Sequence, residues 1–149
     1  MFLSNFGVEL CHCFSEVADF LKDDFDTDLA WMPLKNKCLE INEGHYIYKL
    51  CLFDKASQID SGGGPEINLG TWSKWSSGTA GVGMQIYERG QSCWNGPDRS
   101  AHITVECGED TKLIEVSEPS KCEYHFVLHT PAACPDPVTL QDDEGHDEL

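Results

Sequence analysis

A chain of 149 residues with 40 % hydrophobic and 10 % aromatic side chains holds one core and enough apolar area to offset the entropy that folding costs, which excludes wholesale disorder. Its formal charge of -16, from 26 acidic against 10 basic residues, repels phosphate backbones and anionic lipid, so nucleic acid and membrane surfaces are excluded as partners. No apolar run reaches the roughly 18 residues that cross a bilayer as a helix.

The eight cysteines read as disulfides, because no two pairs have the C-x-x-C…C-x-x-C spacing of a structural zinc site. From the amino terminus, Met1 to Phe14 contains no Lys or Arg and is interrupted by Asn5, Glu9 and His12, which does not make a signal peptide. The expectation is a fragment of a longer precursor. Phe14, Val17, Ala18 and Leu21 recur at helical spacing behind Ser15, an N-cap residue, and predict a short amphipathic helix over 15–22. The acidic run Asp23-Asp24-Phe25-Asp26-Thr27-Asp28 alternates carboxylates as a calcium loop does. Counted from Asp24, however, the sixth position is Leu29 instead of Gly and the twelfth is Lys35 instead of Glu. It reads as a solvated linker, and residues 1–35 as an extension.

From Cys38 the period changes to two. Tyr46, Tyr48, Leu50 and Leu52 alternate with Ile47, Lys49 and Cys51; Ile103, Val105 and Cys107 with His102, Thr104 and Glu106; and Cys122, Tyr124, Phe126 and Leu128 with more polar neighbours. These are strands. Ser61-Gly62-Gly63-Gly64-Pro65, Asn95-Gly96-Pro97-Asp98 and Gly108-Glu109-Asp110 supply turns. The pattern predicts an all-β antiparallel sandwich or barrel over residues 36–135. Residues 136–149 are acidic with little to bury and read as a flexible tail. It ends in His146-Asp147-Glu148-Leu149, the address recognised by the retrieval receptor of the endoplasmic reticulum, which places the chain in that lumen.

Six cysteines in the order Cys38, Cys51, Cys93, Cys107, Cys122 and Cys134 are interleaved with four motifs. These are Ser57-Gln58, Gly70-Thr71-Trp72, Cys93-Trp94-Asn95-Gly96-Pro97-Asp98-Arg99-Ser100 and Glu118-Pro119-Ser120-Lys121-Cys122-Glu123-Tyr124. The stretch from about residue 36 onward resembles the mannose 6-phosphate receptor homology (MRH) domain, in the form carried by glucosidase II β subunits. Spacing alone leaves about 15 pairings of six cysteines open. The resemblance implies a flattened β-barrel with Cys38–Cys51, Cys93–Cys122 and Cys107–Cys134 paired, and leaves Cys11 and Cys13 outside the framework.

The resemblance also implies a mannose site made of Gln58, Arg99, Glu118 and Tyr124, with Trp94 lining it. The residue types suit a pyranose: Arg99 only donates, Glu118 only accepts, Gln58 does both, and the phenol of Tyr124 caps the ring. Mannose differs from glucose in its axial 2-hydroxyl, and polar groups that need that hydroxyl are left unpaired without it, at about 1–3 kcal/mol. Trp72 and Trp75 are either further sugar platforms or core. A phosphorylated mannose is disfavoured, since Arg99 is the one basic residue in its motif.

No enzyme signature is present: no placed carboxylate pair, no G-x-S-x-G, no H-E-x-x-H and no P-loop. The six histidines, at 12, 45, 102, 125, 129 and 146, show no ligand spacing, so no metal or cofactor is expected. The reading is a non-catalytic module that holds high-mannose N-glycans while a separate glucosidase II α subunit trims glucose. The calcium-binding region through which such β subunits contact the α subunit has no counterpart in this sequence, so that partnership comes with the resemblance alone. A free-standing lectin that sends misfolded glycoproteins to degradation, or a disulfide-stabilised interaction module without sugar, are the alternatives.

Overall fold

A computed structural model of the chain describes residues 29–78 and 81–135. The helix expected over 15–22, the acidic run 23–28, Cys11, Cys13 and the HDEL terminus lie outside the described residues. A short 3-10 helix, Leu29–Leu34, leads into eight strands: β1 Cys38–Glu43, β2 Tyr46–Cys51, β3 Lys55–Asp60, β4 Ile67–Trp75, β5 Met84–Glu88, β6 Ser100–Cys107, β7 Lys112–Ser120 and β8 Glu123–Thr130. They form one sheet in the order β1-β2-β3-β4-β5-β6-β8-β7. The edge strands β1 and β7 approach one another, so the sheet curls into a nearly closed, flattened barrel. This is the all-β architecture expected.

The first five strands form a meander of antiparallel neighbours. Its tightest connection is Gly44-His45 between β1 and β2, where Gly44 at φ 60° takes the left-handed conformation that a two-residue hairpin turn demands. The carboxyl-terminal half differs. β7 runs outside β8, and β8 fills the place beside β6, pairing parallel to it from Ser100↔Glu123 to Cys107↔Thr130. A parallel pair cannot be closed by a tight turn, and here β7 itself supplies the long connection.

All three disulfides form as the family pattern implies. Cys38–Cys51 bridges register partners on β1 and β2, Cys93–Cys122 ties the loop before β6 to the turn between β7 and β8, and Cys107–Cys134 fastens the end of β6 to the segment after β8. The last two close loops of 29 and 27 residues and restrict the unfolded chain by about 3–4 kcal/mol each.

The core has two ends. At one, Trp31, Phe53, Trp72, Trp75 and Tyr87 meet edge to face, with centroids 5.0 Å apart for Trp31–Trp75 and 4.9 Å for Phe53–Trp72. Trp72 and Trp75 are therefore core residues, and Trp31 and Leu34 belong to the same cluster, although they precede residue 36, the expected start of the β-domain. The Tyr87 hydroxyl accepts from the Phe53 backbone N–H and donates to Gln85 Oε1, both at 3.0 Å. These contacts hold Phe53 at φ 60°, a conformation a bulky side chain adopts only when its surroundings fix it. The other end is lined by Tyr48, Tyr124 and Phe126 and leads to the site.

Candidate functional site

Tyr48 sits directly opposite Gln58 in the β2–β3 register, and directly opposed residues present their side chains on one face. That face is the inner one, for the Tyr48 ring lies 6.0 Å from Phe126 and 6.3 Å from Tyr124, both on β8. Gln58 is thus buried beside Tyr48, and its Oε1 has no hydrogen-bond partner.

Arg99 immediately precedes β6. Its backbone is held from both sides: its N–H donates to Gln91 O at 3.2 Å and its carbonyl accepts from Gly90 N–H at 2.8 Å. Its Nη1 donates to the carbonyls of Gln91 and Ser92 at 3.2 and 2.9 Å, so the guanidinium is fixed by its own loop. The guanidinium also bears on the Tyr124 hydroxyl, and its Nε is buried without a partner. Gly90 matters here because a Cβ in its place would stand 2.7 Å from Arg99 O and 2.6 Å from Leu69 C, too close for either backbone.

Glu118, on β7, is anchored at the turn that Cys122 closes: the Cys122 N–H donates to its Oε1 at 2.9 Å. Its charge is felt by both phenols. Burial pushes the Tyr124 hydroxyl above the usual tyrosine range, the Arg99 guanidinium pulls it back, and the Glu118 carboxylate raises it again. Tyr48 is raised by burial first, then by Tyr124 and Glu118, with Tyr46 and Glu43 adding to the effect. Both phenols stay neutral and able to donate.

Three residues, from β3, the β6 entry and β7, therefore surround the Tyr48–Tyr124 pair. Trp94 stands apart. It is 84 % exposed, at the rim beside the Cys93–Cys122 bridge, and its ring faces Lys121 Nζ at 5.5 Å. Sequence reasoning missed Tyr48, which links Gln58 to the rest. Its place in the alternating run 46–52 put it on the strand face shared with Leu50, but only the β2–β3 register reveals that Gln58 lies opposite.

Two other features complete the inventory. A pocket of about 170 Å³ is lined by Glu40, Ile47, Lys49, Ser57, Gln58, Ile59 and Glu66 of and beside β1–β3. Glu66 beside it is held below the usual carboxylate range by a hydrogen bond from Ser57, with Lys55 assisting. The histidines, which show no ligand spacing along the chain, do converge in space: His102, Glu123 and His125 bring one ligand atom each within 4.8 Å of one another.

With this geometry in view, comparison with known proteins is decisive. Residues 9–149 match the family described as "Glucosidase II beta subunit-like protein". The chain belongs to the glucosidase II beta subunit-like family. Among its relatives, "Glucosidase 2 subunit beta" of Bos taurus is 40 % identical over 128 residues, which is 85 % of this chain and 24 % of that protein. The same subunit of Oryza sativa subsp. indica is 41 % identical over 120 residues, 80 % of this chain and 19 % of that one. This member thus spans about a quarter or less of the length of those beta subunits. Among solved structures, the crystal structure of the MRH domain of glucosidase II beta bound to mannose is 38 % identical, with a TM-score of 0.58, covering 69 % of this chain and 98 % of that one.

Proposed function

We propose that this chain is a non-catalytic mannose-binding lectin module that holds high-mannose N-glycans for glucose trimming by a separate catalytic α subunit, in the lumen of the endoplasmic reticulum. The three disulfides place the folded chain in an oxidising compartment, and the terminal HDEL supports the finer assignment. The α subunit as a partner rests on the relatives' being the beta subunit of a glucosidase.

The observation that carries the reading is a pair of buried polar atoms with no protein partner, Gln58 Oε1 and Arg99 Nε, on side chains connected through Tyr48 and Tyr124. Buried polar groups are normally satisfied, and an unpaired one costs about 1–3 kcal/mol until something supplies the missing bond. A hexose hydroxyl does so, because it donates and accepts at once. In this reading Gln58, Arg99, Glu118 and Tyr124 bind adjacent hydroxyls, Tyr48 walls the pocket, and Trp94 at the rim meets the next part of the glycan. A structural relative of the same family, 38 % identical, is described as bound to mannose.

The charge pattern favours unmodified mannose. Glu118 acts on both site phenols and Glu43 on Tyr48, and a phosphomonoester would bring nearly two further negative charges to them. Arg99→Ala and Glu118→Gln test the assignment; the amide of the latter still accepts from the Cys122 N–H, so the turn is retained. Both variants are expected to lose mannose-inhibitable binding to a high-mannose glycan array while melting as wild type, and unchanged binding by either removes the site. Co-purification with a glucosidase from reticulum extract tests the partnership.

A further inference from the structure

The outer face of the β6–β8 pair carries chemistry that sugar binding does not use. His102 and His125 are register partners across the parallel pair, with imidazole centroids 5.3 Å apart and planes tilted by 33°. Glu123 lies two residues before His125 on the same strand, hence on the same face. Its Oε1 is 3.0 Å from His125 Nε2 and 3.5 Å from His102 Nδ1, and the three candidate ligand atoms all lie within 4.8 Å of one another.

Zinc bound to nitrogen and oxygen at about 2.0–2.2 Å in tetrahedral geometry sets its ligand atoms roughly 3.3–3.5 Å apart. Both separations to the carboxylate already stand near that value, and modest rotation of the two imidazoles closes the third. All three side chains are partly exposed, so an ion can enter and a water can complete the tetrahedron. Two imidazoles and one carboxylate suit zinc and similar divalent transition metals. Calcium and magnesium require mostly oxygen ligands, which this set does not provide. The strongly negative chain raises the local concentration of any cation.

We propose that His102, Glu123 and His125 form a binding site for a zinc-like divalent metal that cross-links β6 to β8. No tight turn joins these strands, and the residues just ahead of the two histidines, Ala101 and Tyr124, are themselves register partners, with Tyr124 facing the inner side. A metal on the outer face fastens the strand pair that positions Arg99 and Tyr124.

The oxidised full chain, stripped of metal by chelator, is titrated with zinc chloride by calorimetry, and the imidazole resonances are followed by NMR. One equivalent is expected to bind, shifting the signals of His102 and His125. His102→Ala and His125→Ala should each weaken binding by about tenfold or more. His129→Ala, which removes a histidine whose Nε2 lies 3.0 Å from Glu106 Oε2 farther along the same strands, should leave zinc affinity unchanged. Circular dichroism checks that each variant is folded, and the wild-type NMR titration reads the site without any substitution. Zinc affinity unchanged in both variants, or imidazole signals of His102 and His125 that do not move at saturating zinc, overturns the proposal.

Discussion

Gln58→Leu should make the domain more stable and weaken its ligand affinity at once. The side chain is 7 % exposed and its Oε1 has no partner, so the free protein carries a desolvation cost of about 1–3 kcal/mol at this position. Leucine has nearly the same volume and no polar atom to strand, and it adds apolar contact with Tyr48 across the β2–β3 register. Against this stands some loss of fit from the branched side chain, of about 1 kcal/mol. The balance is a gain of about 1 kcal/mol, which for a domain of this size raises the melting temperature by about 4–8 °C. In the complex the sign reverses, because a mannose hydroxyl now meets a methyl group and goes unpaired, which at about 1–3 kcal/mol weakens binding roughly 5- to 150-fold. Calorimetric melts with and without methyl α-mannoside, together with titration of the same sugar, read both effects on one sample. A variant that melts below wild type and binds mannose normally would refute the argument, since Gln58 would then be satisfied within the protein and idle toward the ligand.

Replacing Cys93 and Cys122 together by serine removes a 29-residue loop constraint and should lower stability by about 3–4 kcal/mol, read by urea unfolding, with mannose affinity falling further because the bridge sets Trp94 and the Glu118 turn in place. Gly90→Ala forces a Cβ against Arg99 O and should weaken mannose binding several-fold more than the same variant loses when the glycan contact is made only through the rim, a difference glycan-array profiles resolve. Tyr87→Phe strands Gln85 Oε1 and removes the hydroxyl that accepts from the Phe53 N–H, and should cost about 1–3 kcal/mol at neutral pH in thermal melts. Burial raises the Tyr87 hydroxyl far above its unfolded value of 10.0, so the folded state holds its proton more tightly; wild-type stability is complete below pH 10 and falls as pH climbs past it, and the phenylalanine variant should lose less over that alkaline span.

Much of the barrel was legible because inward and outward positions alternate cleanly where both neighbours of a strand are regular. β8 alternates strictly between half-buried and buried positions and the first half of β6 does the same, which is why the runs at 102–107 and 122–128 stood out, whereas in β2 burial instead deepens along the strand toward Leu50 and Cys51. β7 did not. It lies at the sheet edge with only Leu113 and Val116 buried, and its register slips twice against β8, so no period-two signal survives. β4 is interrupted by a bulge near Trp72–Lys74 and by Gly70, and its tryptophans turn inward to an aromatic cluster whose other members, Trp31 and Phe53, lie far away in sequence. Trp31 itself follows an acidic run, and composition there outweighed the apolar hexapeptide that buries it.

The site followed the same rule. Only the resemblance to the MRH domain, carried by motifs in order, pointed to Gln58, Arg99, Glu118 and Tyr124; each residue type alone has an ordinary structural explanation. Tyr48 and the His102–His125 pair escaped because their partnerships exist only through strand register, and the parallel β6–β8 pairing has no local signature to announce it.

That interleaved strand order also dictates when the molecule becomes competent during its synthesis. Among the described strands the one bearing Tyr124 is made last, yet its slot lies between two that emerge earlier, and two of the three sulfur cross-links await cysteines at 122 and 134. A nascent chain halted before residue 123 can fold its first meander but offers no receptor for sugar. Under the proposed function, glycan capture therefore waits for the strand that carries Tyr124 to take its slot.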